Sequence, residues 1–307
     1  MAEAVLQEKT DMQEHLFEIE QGFEGFAPFF GSWLSIDLDH VNVLVDVGPA
    51  HTASNLIHAL RSFGLEKLDY IFLTHIHIDH AGALADLLDY FPMARAVCHE
   101  KGIEHLVNPS RLWTGSLNVL GKVAELYGEP KPVPEERIIP HTNFHLKDLN
   151  ILETPGHALH HLSYQYKGVL YAGEAAGNYF LLDGMEYIRP ASPPRFFFHV
   201  FMNSVEKLLS LENQPIRYAH FGGADDSQRL LEIFRDQLIR WKALVGERVQ
   251  QGLRGEPLLQ ECSDLLLKED PCLAAYHLMD APTQEREKIF MRNSVKGFAE
   301  FLINGDS

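Results

Sequence analysis

A short apolar run, Leu68 to Leu73, leads straight into Thr74-His75-Ile76-His77-Ile78-Asp79-His80. The run is the length of a strand and too short for a core helix, so the chain must build a sheet that ends on imidazoles and a carboxylate. Side chains alternate along an extended segment, which leans His75, His77 and Asp79 one way. His80 then turns to the opposite side as the chain enters a helix. Two imidazoles, a carboxylate and a third imidazole within six positions can serve two adjacent metal ions, each taking part of the set.

Three later segments carry the same residue types. In Thr154-Pro155-Gly156-His157-Ala158-Leu159-His160-His161, Gly156 permits a tight turn that aims His157 at the first cluster. His160 and His161 either pack, ligate, or support a ligand by hydrogen bonds. Leu170-Tyr171-Ala172-Gly173-Glu174 delivers a carboxylate at a strand end, and Tyr218-Ala219-His220-Phe221-Gly222-Gly223 delivers a histidine beside glycines. Seventeen histidines is a high number for 307 residues, and histidine is the commonest metal ligand.

Around these segments the periodicities alternate between strand and helix. Residues 14–48 read as strands closing on a turn at Gly48-Pro49, and residues 51–64 as a helix capped by Gly64. A helix over Ala81 to Tyr90 and a strand over Ala94 to Cys98 follow. Residues 101–135 are loop-rich with helical pieces and close on Pro130, Pro132 and Pro134. Strands are predicted over Asn150 to Glu153, Leu162 to Tyr166, Val169 to Ala172 and Ile216 to His220. Residues 184–200 read as an irregular excursion. Beyond Gly223 the pattern is helical, with Leu230, Leu231, Phe234, Leu238, Trp241 and Val245 at helical spacing over 226–254 and further helices over 256–304. There is no internal repeat.

This chain resembles the metallo-β-lactamase fold hydrolases, whose signature is His-x-His-x-Asp-His, then a lone His, a bridging acid and a final His. Here these are His75, His77, Asp79, His80, His157, Glu174 and His220. The resemblance covers about residues 14–224, and the Thr-Pro-Gly-His and Asp-His-Ala-Gly segments are similar to the glyoxalase II-like and lactonase-like branch. It implies an α/β fold, an αββα four-layer sandwich, with a catalytic domain over 1–224 and a helical extension over 225–307 packing on it. It also implies two divalent ions, zinc first with iron or manganese as alternatives. One would sit on His75, His77 and His157 and the other on Asp79, His80 and His220.

In such a site a hydroxide attacks an ester, thioester or lactone carbonyl of a small molecule. Asp79 both ligates and orients the nucleophile, and Asp46 acts from behind the ligands. The family's usual bridging acid is aspartate. Glu174 is one methylene longer, so the carboxylate bridges with altered geometry, binds one metal, or makes no contact. An iron-dependent oxidoreductase on the same fold, diiron or persulfide dioxygenase-like, is the alternative. Phe30, Trp33 and Phe196 are candidate substrate contacts, and Arg292 and Lys296 the only tempting cations in the helical extension.

Other classes are disfavoured. A net charge of −17 with no basic run argues against a nucleic-acid partner. No apolar stretch approaches the roughly 20 residues that span a bilayer, and the N-terminal segment lacks the pattern of a secretory leader. Cys98, Cys262 and Cys272 are far apart and read as buried free thiols of a reducing cytoplasm. The expectation is a cytoplasmic enzyme with a small-molecule substrate, either monomeric or a homodimer.

Overall fold

The computed structural model describes residues 12–27, 29–37 and 41–305; the leader reading rests largely on residues 1–11, outside that set. Six strands form the first sheet in chain order: β1 (Met12–Ile19), β2 (Phe30–Asp37), β3 (Asn42–Val45), β4 (Tyr70–Phe72), β5 (Arg95–Cys98) and β6 (Ile138–Pro140). The first three pair antiparallel, and β3 through β6 run parallel. The second sheet uses β7 (Leu149–Glu153), β8 (Leu162–Tyr166) and β9 (Val169–Gly173). After a separate hairpin, β10 (Asn178–Leu182) and β11 (Met185–Arg189), the chain adds β12 (Ile216–Tyr218) and β13 (Gly223–Ala224) to that sheet, in the order β13-β12-β9-β8-β7.

Strand alternation builds the four layers. Val43, Val45, Phe72, Val97, Tyr164 and Tyr171 meet between the two sheets. The intervening Leu44, Ile71, Ala96, Leu170 and Ala172 face outward into the helix-side core, as a period of two requires. Helices α1 (Ala53–Phe63), α2 (Ile78–Ala81), α3 (Leu84–Tyr90), α4 (Ile103–Val107), α5 (Ser110–Leu120) and α6 (Lys122–Tyr127) follow strands of the first sheet. In the second half of the chain α7 (Phe198–Leu209) comes before β12, and α8 (Ser227–Gln250), α9 (Gly255–Glu269) and α10 (Ala281–Asn304) follow β13.

The Phe234, Leu238 and Trp241 stripe of α8 is fully buried. All three cysteines are free and buried, and burial pushes the Cys98 thiol up to about 12. No helix of the described residues is long and apolar enough to cross a membrane.

Two expectations are corrected here. Residues 184–200 are an irregular excursion only over 190–197; Met185–Arg189 is a strand and a helix begins at Phe198. Asp183 and Gly184, at φ +48° and +80°, form the two-residue turn of the β10–β11 hairpin in the conformation such turns require. The segment then ends in α7. The extended reading of Thr74 to Asp79 also fails, because α2 starts at Ile78. Asp79 therefore sits in the first helical turn beside His80.

Candidate metal centre

The helical start at Ile78 sorts the ligand-type residues. One group, His75, His77, His157 and Glu174, and a second, Asp79, His80 and His220, each bring their donor atoms within 4.8 Å of one another. β4 delivers the first pair, α2 delivers Asp79 and His80, and the ends of β7, β9 and β12 deliver His157, Glu174 and His220.

Asp46 fixes two of the imidazoles at once. Its Oδ1 accepts the Thr74 N–H at 2.8 Å, and its Oδ2 accepts the Thr74 hydroxyl at 2.7 Å and His80 Nδ1–H at 3.1 Å. Because the Thr74 proton goes to Asp46, the hydroxyl oxygen accepts from His75 Nδ1–H at 3.0 Å. Both rings thus carry their proton on Nδ1 and turn Nε2 inward. Asp46 holds φ at +55° to do this, a conformation uncommon outside glycine. On the other side, His157 Nδ1–H donates to the Ala191 carbonyl at 3.0 Å, and its Nε2 faces His77 Nδ1 at 2.9 Å.

Glu174 lies between the groups. Its Oε2 is 2.7 Å from His157 Nε2, 3.4 Å from His75 Nε2 and 3.6 Å from His80 Nε2, while Oε1 is 3.0 Å from His220 Nε2. Gly173, just before it, takes φ +61°, and a Cβ there would fall 2.4 Å from His161 Nε2, so the turn that carries Glu174 against His161 needs glycine. His161 is fully buried. Its Nε2 accepts the Glu174 N–H at 3.0 Å and its Nδ1 pairs with the Thr154 hydroxyl at 2.9 Å. It therefore supports Glu174 and is not part of either group. His160 lines the cavity, with Nδ1 taking the Ile76 N–H at 3.5 Å.

The donor set suits divalent metal. His75 Nε2 and His80 Nε2 are buried and make no hydrogen bond among the described residues, a costly state for two buried ring nitrogens unless something binds them. Burial, followed by the neighbouring His80, His77 and His157, holds His75 well below its ordinary value. Burial and then His157 and His160 do the same to His77. Burial lowers His80 too, but Asp79, the Asp46 hydrogen bond and Glu174 outweigh it and raise the ring to about 9. Burial pushes Glu174 up, yet the His157 and His220 imidazoles hold it well below the carboxylate range. A metal would meet neutral rings at His75 and His77 and would displace a proton at His80.

A third group, His99, His141 and Glu153, is also close enough to suggest a metal. The hydrogen bonding argues otherwise. His99 Nδ1 accepts the Lys101 N–H at 3.1 Å, which leaves the ring proton on Nε2, facing Glu153 at 3.7 Å. With His141 Nε2 at 3.2 Å from the same carboxylate, the group reads as a hydrogen-bonded clamp before the His157 turn.

The two ligand groups open into a cavity of about 710 Å³ lined in part by His77, Asp79, His157, Glu174 and His220. The candidate substrate contacts are elsewhere. Phe30 is buried with its ring 5.0 Å from that of His220, and Trp33 Nε1–H donates to the Tyr218 carbonyl at 3.1 Å. Phe196 packs on Phe201 and Phe298. None of the three lines the cavity; Phe29 and Phe290 do. Neither Arg292 nor Lys296 reaches it, and Arg292 is turned to Glu256 and Gln260. Arg189 of β11, which lines the cavity, and Arg286 of α10 clamp the fully buried Glu287, to which Tyr187 also donates.

Residues 27–223 match the family model of the metallo-beta-lactamase superfamily. A metallo-beta-lactamase fold-containing protein of Sulfurisphaera tokodaii is 30% identical over 193 residues, 60% of this chain and 70% of that protein. Its crystal structure, described as an archaeal metallo-beta-lactamase superfamily protein, superposes with a TM-score of 0.69 at 23% identity, covering 94% of this chain and 98% of that one. A probable metallo-hydrolase of Methanocaldococcus jannaschii is 31% identical over 137 residues, 43% of this chain and 61% of the relative. A hydroxyacylglutathione hydrolase of Aeromonas hydrophila is 28% identical over 148 residues, 46% of this chain and 44% of the relative. Taken with the four layers and the ligand geometry, the match over 27–223 is decisive at the family level: this chain belongs to the metallo-beta-lactamase superfamily.

Proposed function

We propose that the protein is a dinuclear metal-dependent hydrolase that opens an ester, thioester or lactone bond of a small molecule. The observation that carries this reading is the Glu174 carboxylate, with Oε2 within 3.6 Å of His75, His80 and His157 and Oε1 3.0 Å from His220. A carboxylate so shared suits two ions better than one. His75, His77 and His157 would hold the first ion, and Asp79, His80 and His220 the second, with Glu174 between them. Bound divalent ions would supply a water acidified toward neutral pH and a Lewis acid for the carbonyl oxygen. The nitrogen-rich, thiolate-free set suits zinc, with iron or manganese also compatible.

The chain's own residues do the rest. Asp79 lines the cavity with its carboxylate partly open to it, where it would orient the attacking water and take its proton. Asp46 and Thr74 lock the His75 and His80 tautomers, so no reorientation is needed when the ligands bind. The relatives named as a metallo-hydrolase and a hydroxyacylglutathione hydrolase support the hydrolytic class.

The test is a panel of thioesters, lactones and phosphodiesters offered to the purified protein and to a His75→Ala/His77→Ala variant. Turnover of a carbonyl substrate that disappears with the metal in the variant is expected. A variant that keeps both metal and activity overturns the assignment.

A further inference from the structure

The cavity above the ligand groups has a lining that the hydrolytic chemistry does not require. Histidines apart, the ionisable residues lining it are Asp79 and Glu174 at the ligand groups and four cations, Lys101, Arg111, Arg189 and Arg195. That is a sharp local reversal in a chain of net charge −17. Arg189 is tied to Glu287, but the other three side chains are exposed. Among the described residues Arg111 pairs weakly with Glu104 at 4.0 Å, both side chains 82% exposed, a separation and exposure at which ion pairs contribute little.

These cations come from three separate places: the turn Glu100–Gly102, α5, and the loop before α7. Such convergence on one mouth focuses positive potential there.

The wall between mouth and ligands is apolar and unfinished. Arg111, Leu112, Gly115, Ser116, Val119 and Leu120 all line the cavity, the spacing of one helical face, yet no residue of α5 is buried. Val119 is 62% exposed, and Leu159 across the opening is 60% exposed. Large apolar side chains left bare at a site's entrance mark a ligand surface.

We propose that the cavity takes an amphipathic acyl compound, whose apolar chain lies along α5 and whose far end carries an anionic group held by Lys101, Arg111 and Arg195. Its orientation, carbonyl end toward Asp79 and Glu174, rests on the hydrolase reading; the charge preference does not.

The test uses suberamic acid, which carries an amide at one end and a carboxylate at the other, against the neutral diamide suberamide. Both are titrated calorimetrically into the full chain before and after chelator treatment. Suberamic acid should bind about tenfold tighter in both states, and 0.5 M salt should erase most of that advantage. In Arg111→Ala and in Lys101→Ala/Arg195→Ala the advantage should shrink to a few-fold or vanish, with suberamide binding unchanged. Val119→Ser should weaken both probes alike.

Equal affinity of the two probes overturns the proposal. So does a carboxylate preference that survives the cation variants or disappears on chelation, since the carboxylate would then be a metal ligand. Charge-selective binding with no ester turned over sinks the hydrolase reading alone, and hydrolysis of neutral esters with equal probe binding sinks this one alone.

Discussion

The amide of Glu174 donates to Nε2 of His161 at 3.0 Å, so the central carboxylate is anchored through its backbone by an imidazole that belongs to neither ligand group. Thr154 fixes that ring in turn from Nδ1. His161→Ala should leave the Glu174 amide buried and unpaired, and lower metal affinity about 10- to 100-fold. His161→Gln, which offers an amide oxygen at a similar reach, should recover part of the loss. Competitive metal titration with a chromophoric chelator measures both; equal affinity in all three proteins would remove His161 from the account.

Asp46 allows a sharper test, because its charge and its acceptor pattern can be separated. Asp46→Asn keeps the shape but places an NH₂ where Thr74 or His80 now donates. His80 would then carry its proton on Nε2, pointing at the metal position. The expected result is an affinity loss of about 10- to 100-fold in the Asp79, His80 and His220 group, with an unchanged circular dichroism spectrum. Wild-type affinity in Asp46→Asn would mean that tautomer control is unimportant.

Gly173→Ala tests the tight turn that carries Glu174. A Cβ at φ +61° would meet His161 Nε2 at 2.4 Å and Thr74 Cβ at 3.0 Å. Strain and overpacking together should cost about 2 kcal/mol or more in chemical unfolding. Metal occupancy should fall with it, whereas Gly184→Ala, in the open turn of the hairpin, should leave occupancy intact.

Acid stability should depend on Glu287. Burial pushes its carboxyl up, but Arg189 and Arg286 outweigh burial and hold it below its ordinary 4.5. A depressed carboxylate contributes stability in full above its unfolded value, and loses it as pH falls through the lower folded value. Unfolding monitored with pH should therefore show a decline below about 4.5 that is missing from Glu287→Gln. At neutral pH that variant should be less stable by about 3–5 kcal/mol, since two buried guanidinium groups lose their partner.

What the sequence made legible was the local part of the site. His75, His77, Asp79 and His80 are bunched on one segment, and the Thr-Pro-Gly-His turn and the strand ends at Glu174 and His220 carry their own patterns. Strand alternation around Val43, Phe72 and Tyr171 was equally readable. What stayed hidden depends on distant pairing: the Thr74–Asp46–His80 network spans the gap between two strands, and Glu287 meets Arg189 across 98 positions. The β10–β11 hairpin was missed for a different reason. Pro190, Pro193 and Pro194 give the segment the look of a loop, while the strong hairpin signal is the Asp183-Gly184 pair before it. Phe30, Trp33 and Phe196 stand in sequence where the family's relatives wall the pocket or in the 184–200 segment, but their rings complete cores, and the face of α5 that lines the cavity looks in sequence like any amphipathic helix.

Metal content measures most directly whether two metal ions share Glu174. Protein purified without added metal should contain about two divalent ions per chain, falling to about one in Asp79→Ala/His220→Ala and to about one when Glu174→Ala is made instead, since three imidazoles still hold the first ion. A single iron per chain in the wild-type protein, unchanged in Asp79→Ala/His220→Ala and accompanied by oxygen consumption, would contradict the dinuclear hydrolase and point to oxidoreductase chemistry on this fold.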